Sequence, residues 1–325
     1  MTTRRILAIG ISLCLLFVPC KKAASAEADY PTKPISLIVP FSAGGRTDLI
    51  GRLTAKYLSM YLGETVVVIN RPGAGSVLGA NEVAHSAPDG YTVGFFSTSS
   101  VTAQYTLPTP TSLTDYELVA IINTDPAAVA VQAAAPWKTL RDLVADVRKQ
   151  PNRYRIGMIP GASAQIFAAG LSRAANIKMI DVPFKGDTEG AVALAGNHIE
   201  IHVAVPVSYK SLVAAKKVRI LAVASASSSP LYDNIPTFRD SGVDLVISAF
   251  HGIFVPKGTP AAIIEKLADA LEKTASTQGF IDGMRDAGAG IEFIKGQEAQ
   301  QFLTQQDTTY RNIIDELGLR VNATR

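Results

Sequence analysis

Ile35-Ser36-Leu37-Ile38-Val39-Pro40-Phe41-Ser42-Ala43-Gly44-Gly45-Arg46-Thr47-Asp48 is the stretch on which the fold of this 325-residue chain is decided. A short apolar run ends at Pro40 and passes into small and hydroxyl residues. Leu49, Leu53, Tyr57 and Leu58 then recur at the spacing of one helical face. Val66–Ile69 reads as a second strand running into Asn70-Arg71-Pro72-Gly73-Ala74-Gly75. A helix from Val77 to His85 is expected next, stopped by Pro88-Asp89-Gly90. Tyr91–Phe96 reads as a third strand and ends in the loop Ser97-Thr98-Ser99-Ser100. Strand, loop, helix, strand is the order of a parallel α/β sheet.

The middle of the chain repeats that order. Helices are expected over Thr139–Lys149, Ser163–Ala174 and Thr188–Leu194, and strands over Arg155–Met158, Ile199–Val205 and Arg219–Ala224. Val182–Gly186 reads as a loop and Ser225–Pro230 as a small polar loop. The last quarter reads as mainly helical, with Ala261–Thr274 and a long helix from about Gln297 to Leu317. The expected architecture is α/β in two lobes. A leader over 1–26 precedes a first lobe over 27–125 and a second over 126–248, and the chain returns to the first lobe over 249–325. The crossings fall near Asn123–Ala127 and Ile247–Phe250.

The N-terminus changes how the bulk charge is read. Arg4 and Arg5, the apolar run Ile6–Val18 and Ala24-Ser25-Ala26 have the parts of a secretory leader cleaved after Ala26. A lipoprotein leader ending at Cys20 is the competing reading, and Pro19 argues against it. Arg4, Arg5, Lys21 and Lys22 leave with the leader, so 31 basic residues fall to 27 against 28 acidic ones. A near-neutral exported chain offers no bulk attraction for nucleic acid or an anionic membrane surface. Cys14 and Cys20 leave as well, which removes thiol chemistry and disulfides. Periplasmic location, no cofactor and a monomeric state are expected.

Chemistry is expected where strands run into helices: at 41–48, at 72–76 and at 97–100. Ligands of open α/β sheets bind outside those strand ends, and a helix start with small residues favours an anion. Gly73-Ala74-Gly75-Ser76-Val77-Leu78-Gly79 invites a dinucleotide reading, but its spacing is wrong and no acidic residue ends a following strand. His198, Glu200 and His202 could share one strand face as metal ligands, though three positions on a straight strand wrap an ion poorly. Gly161-Ala162-Ser163-Ala164-Gln165 falls one glycine short of a nucleophile elbow, and Ser163 reads as a helix cap able to bond a ligand.

Read in order, Tyr30–Ile35, Ile38–Asp48, Val68–Gly75, Ala87–Thr92, Val182–Gly186, Leu221–Val223, Ile235–Thr237 and Val255–Pro260 resemble the Bug-type, or TctC-type, receptors of tripartite tricarboxylate transporters. The resemblance runs through nearly the whole mature chain. It implies a type II periplasmic-binding-protein fold, with mixed sheets flanked by helices and a ligand cleft between two lobes. It implies a solute-binding protein rather than an enzyme. The ligand would be a di- or tricarboxylate, an aromatic acid or an acidic amino acid, delivered to membrane transporter subunits.

By the same resemblance Phe41, Ser42, Ala43, Gly45, Arg46, Thr47 and Asp48 hold a ligand carboxylate, with Thr98 and Ser99 completing that half. Ser163, Ala164, Phe184, Lys185, Gly186 and Glu200 face them from the second lobe, and His251 touches the distal end of the ligand. Arg46, Gln165-Ile166-Phe167, Phe184 and His251 depart from the usual residues of such receptors. An exported hydrolase using Ser163 or a metal is the alternative function, and a sensor adaptor that presents bound ligand is another.

Overall fold

A computed structural model describes residues 29–160, 162–226 and 234–321. The leader with its two cysteines, Gly161 and most of the polar loop at 225–230 lie outside the described residues.

The first sheet has six strands in the order β11-β4-β10-β3-β1-β2. β1 (Ile35–Val39), β2 (Val66–Asn70) and β3 (Thr92–Ser97) pair in parallel, as the opening alternation requires. α1 (Arg46–Leu62) and α2 (Val77–Ala84) make the crossovers between them. α1 starts on an extended Gly45 and stops at Gly63 in the left-handed region, which a residue without Cβ adopts freely. Ser97–Ser100 is not a free loop. Thr98 opens a further helix, α3 (Thr98–Thr106), whose weak amphipathic pattern left no period to read.

The rest of this sheet comes from chain that periodicity did not mark. β4 (Tyr116–Pro126) is buried along nearly its whole length, so its apolar residues run continuously instead of alternating. β10 (Ser248–Pro256) pairs antiparallel with β4 and with β3, and β11 (Ile294–Lys295) adds to β4. The sheet is therefore mixed. α8 (Ala261–Ala275) and α9 (Gln278–Asp286) cover it beside α1, burying Leu267, Leu271, Phe280 and Met284 against Leu37, Val93 and Ile253.

The second sheet has five strands in the order β7-β6-β8-β5-β9. β6 (Arg155–Met158) lies parallel to β7 (Ile180–Pro183) and β8 (Ile201–Ala204), while β5 (Ala128–Gln132) lies antiparallel to β8 and β9 (Val218–Val223). β7 is a short edge strand with exposed residues, which is why its sequence looks like a loop. α4 (Leu140–Lys149), α5 (Ser163–Ala174), α6 (Asp187–Ala195) and α7 (Lys210–Ala214) flank it. Thr139 and Asp142 form a capping box at the start of α4, each satisfying an amide that the helix leaves open.

Chain passes between the sheets where β4 and β10 run side by side. Ser248 lies opposite Pro126, and the amide of Ala127 donates to the carbonyl of Ile247 at 3.0 Å. α10 (Gly296–Glu316) straps this region from behind. The amide of Ser248 donates to Gln306 Oε1 at 3.1 Å, Tyr310 donates to the carbonyl of Ser248, and Arg173 of α5 pairs with Glu316 at 3.0 Å. One apolar core runs through the junction, joining Phe96, Phe250 and Phe254 to Val129, Ile156 and Leu171.

Candidate functional site

β1 and β3 of the first sheet, and β6, β7 and β8 of the second, end toward the same gap between the lobes. Each end delivers the chain into a helical start: α1, α3, α5, α6 and the short turn Pro206–Tyr209. The gap is bridged by side chains. A Cβ on Gly288, which follows α9, would sit 2.2 Å from Cγ2 of Val207 in that turn. The two lobes therefore touch at this point.

The loop before α1 is braced from within. Asp48 Oδ2 accepts from the amide of Gly44 at 2.8 Å and from Arg52 Nε at 3.0 Å, while Oδ1 accepts from Asn70 Nδ2 at 2.8 Å. Asn70 also donates to the carbonyl of Phe41 at 3.0 Å. Burial alone would raise the Asp48 carboxyl, and the donors of Arg52, Gly44 and Asn70 hold it below its ordinary range instead. Its oxygens are used inside the lobe, so its role is to shape the loop that presents Ser42, Ala43 and Gly45. The amides of Arg46, Thr47 and Asp48 open α1 with no partner inside the helix, and no side chain at Gly45 caps them.

Arg46 and Thr47 anchor a buried polar chain. Arg46 Nη2 donates to Asp125 Oδ2 at 2.6 Å and to the carbonyl of Gly288 at 3.2 Å. Asp125, at the end of β4, also accepts from Asn123 Nδ2 at 2.9 Å and from the amide of Gly290 at 3.1 Å. Asn123 Oδ1 meets His251 Nδ1 at 2.9 Å, and His251 Nε2 meets Thr47 Oγ1 at 3.1 Å. Since the Asn123 amide nitrogen is spent on Asp125, its oxygen must accept, so His251 carries its proton on Nδ1 and Thr47 donates to Nε2. Burial, then the charge of Arg46, push His251 down to about 3, which keeps the ring neutral and this direction stable. His251 stacks on Phe95 with ring centres 5.4 Å apart. The sequence-expected contact residue is thus buried behind Thr47.

Other expected residues divide. Thr98 is buried and accepts from the amide of Phe250 at 2.9 Å, which ties α3 to β10. Ser99 is half-buried beside it. Ala162, not Ser163, is the N-cap of α5, so Ser163 is the first helical residue and that helix start has no side-chain cap. Ala164 is buried. Phe184 is half-buried with its ring against Gly157, Lys185 is exposed, and Gly186 opens α6, again without a side-chain cap.

Glu200 does not join this group. It precedes β8, at the opposite end of the strands from the gap, and Arg155 grips it through its amide at 2.8 Å and its Nε at 3.1 Å. The donors of Arg155 hold Glu200 low even though burial works against them. The metal alternative dissolves on the same geometry. His198 is exposed, Glu200 is paired, and His202 points into the core, where Nδ1 meets Tyr209 Oη at 3.0 Å. Among the described residues no histidine hydrogen-bonds Ser163. Asp187 is the residue that sequence reasoning missed. It is the first residue of α6, and burial raises its carboxyl above the ordinary range against the lowering effects of Ser208 and of the charge of Arg46. An acid in the first turn of a helix reads as ordinary dipole compensation, so nothing local marked it.

Comparison with known proteins agrees with this architecture. The chain aligns over 98% of its length, and over 99% of the relative, with the protein BugT of Bordetella pertussis at 27% identity. The crystal structure of a TctC solute-binding protein from Polaromonas superposes with a TM-score of 0.83 at 29% identity, covering 88% of this chain and 99% of that one. Two more distant structures share the fold. R. palustris Rpa4515 with adipate has a TM-score of 0.68 at 24% identity, covering 89% of this chain and 98% of that one. MatC from Rhodopseudomonas palustris with bound malate has a TM-score of 0.67 at 23%, covering 88% and 100%. The model of the tripartite tricarboxylate transporter family receptor matches residues 50–319, and the chain belongs to that family.

Proposed function

We propose that this protein is an exported receptor that closes its lobes over a small carboxylate and passes it to membrane subunits of a tripartite transporter. The observation that carries the reading is the set of helix starts at the gap. α1, α5 and α6 begin on Gly45, Ala162 and Gly186, and none is capped by a side chain. Uncapped first-turn amides at the positive end of a helix are donors suited to an anion. Those of α1 come from the first lobe and those of α5 and α6 from the second, so one ligand can bond both.

A ligand held from both sides favours the closed arrangement, and closure is what a membrane partner can recognise. The acids bound by the R. palustris neighbours support a carboxylate ligand. His251 is neutral with both ring nitrogens engaged, and among the described residues no histidine hydrogen-bonds Ser163, which favours positioning over an activated nucleophile. The family and the leader expected from the sequence support periplasmic residence.

Thermal-shift measurements on the mature protein, stripped of co-purified ligand, test this. The panel is mono-, di- and tricarboxylates, aromatic acids and acidic amino acids. Binding to the native state must raise the melting temperature by mass action. The expected result is a clear rise with one class of acid that shrinks in Thr47→Ala. A flat response to every acid would sink the receptor reading.

A further inference from the structure

Three helices that flank the second sheet end in the same turn, with one exception in its chemistry. After α5, α6 and α7, Asn176, Asn197 and Lys216 stand in the left-handed region at φ +48°, +60° and +55°. Their amides donate to the carbonyls of Arg173, Leu194 and Val213, and the amides that follow them reach back to Ser172, Ala193 and Leu212. Asparagine tolerates that backbone because its short amide bonds locally, whereas a lysine is crowded there with no such return. α7 is only five residues long, so compensation of its dipole gives little reason for a cation at its end. The place of Lys216 is explained by what lies beside it.

Lys216 and Lys217 line an open groove of about 560 Å³, together with Ala133 and Ala134 beyond β5, Val192 of α6 and Leu212 of α7. Val192 is 59% exposed, and Val213, next to Leu212, is 41% exposed. No acidic residue lines the groove, and among the described residues neither lysine forms an ion pair. Ala128 lies opposite Ala204 and Gln132 opposite Val218, so the groove opens at the far end of the second sheet from the gap. We propose that this groove is a second binding site, for an amphipathic carboxylate. The apolar chain lies on Val192, Leu212 and the alanines, and the carboxylate meets Lys216 and Lys217. Two unmatched cations at the edge of exposed apolar surface complement a ligand with one anionic end and an apolar body. A concave site of this volume encloses one such molecule, where a bilayer face would require a protruding surface. The proposal is independent of what the gap binds.

Amide NMR titration of the mature protein with octanoate tests it. The shifts are expected to cluster at Ala133, Ala195, Leu212 and Lys216, and to saturate alike in wild type and in Thr47→Ala, whose change lies at the gap. Acetate lacks the chain and should bind at least about tenfold more weakly, which the burial of two methylenes already provides. Lys216→Asn combined with Lys217→Gln should weaken octanoate about tenfold, the scale of two exposed ion pairs, and octanol should be as weak on wild type for the same reason. The ligand-free double variant should melt no lower than wild type, because asparagine suits the left-handed position. Val192→Asp, at an exposed site that tolerates charge, should abolish the shifts in the groove. Shifts confined to the gap, affinity unchanged in the double variant, or octanol binding as well as octanoate would overturn the proposal. Binding to vesicles containing phosphatidylglycerol with no response to free octanoate would also overturn it, and would assign the surface to a membrane instead.

Discussion

Asp125 shows how one side chain can organise a site it does not line. It gathers Arg46 of α1, Asn123 of its own strand and the amide of Gly290, and through Asn123 it sets the tautomer of His251 and the direction of the Thr47 hydroxyl. Removing it leaves Arg46, whose side chain is 31% exposed, without its counter-ion, and Asn123 and the amide of Gly290 without their acceptor. Asp125→Ala is expected to cost about 2 kcal/mol in urea unfolding, less than breaking a fully buried pair because solvent reaches the arginine left behind. Loss of well under about 1 kcal/mol would place the pair among exposed ones. The buried histidines make a second prediction. Burial, with Arg46 added for His251, pushes His202 to about 4 and His251 to about 3, against 6.5 for a free ring. On acidification the unfolded chain therefore takes up these protons first. Stability from this source is complete above about 6.5 and declines as pH falls toward 4 and 3, by up to about 1.4 kcal/mol per pH unit for each ring. His251→Gln keeps a donor and an acceptor without titrating. Its urea midpoint should fall less steeply between pH 6.5 and 4 than that of wild type, and an unchanged slope would refute the assignment.

At the scale of elements, three of the helices that open at the gap, α1, α5 and α6, contrast with α4 and with α3, which starts on a capping box of Ser97 and Ser100. α4 begins with a capping box of Thr139 and Asp142, whereas α1, α5 and α6 begin on residues that carry no capping oxygen. A cap would satisfy the same amides that an anion needs, so stability of the empty helix and affinity for ligand draw on one set of donors. Ala162, with φ −110° and ψ 170°, already has the backbone of an N-cap. Ala162→Ser is expected to stabilise the empty protein by about 1 kcal/mol and to weaken binding of whichever acid raises the melting temperature of wild type. Stabilisation with undiminished affinity would show that α5 contributes no amide to the ligand. The bracing of the α1 loop by Asp48, Arg52 and Asn70 belongs to the same scale, since it replaces the missing cap with a rigid approach.

For the whole molecule, the contact that registers closure is Gly288 against Val207. Gly288 has φ +67° and leaves no room for a Cβ. Gly288→Ala is expected to hold the lobes apart and lower ligand affinity about tenfold, with part of that loss recovered when Val207→Ala is added, because the clash is shared by the pair. Failure of the second substitution to recover affinity would mean that backbone strain at 288, not lobe contact, is responsible. The amino-acid sequence alone determined the alternation of β1, α1, β2, α2 and β3, the loops at the strand ends and the ordered motifs that mark the family. These are local periodicities and turn chemistries, carried by residues a few positions apart. It also showed that hydroxyl and small residues cluster at 41–48 and 97–100. What it could not show was the destination of each polar side chain. Asp48 and Thr98 turn inward to Asn70 and Phe250, Glu200 is taken by Arg155 at the far end of its strand, and Arg46 finds Asp125 79 positions away. Asp187 follows β7, and it ends on the same side of the second sheet as the turn after β8 only because both strands run parallel to β6 between them. A side chain's role is set by its strongest available partner, and for buried charge that partner is usually distant in sequence, so only the tertiary structure decided which residues are spent inside the lobes.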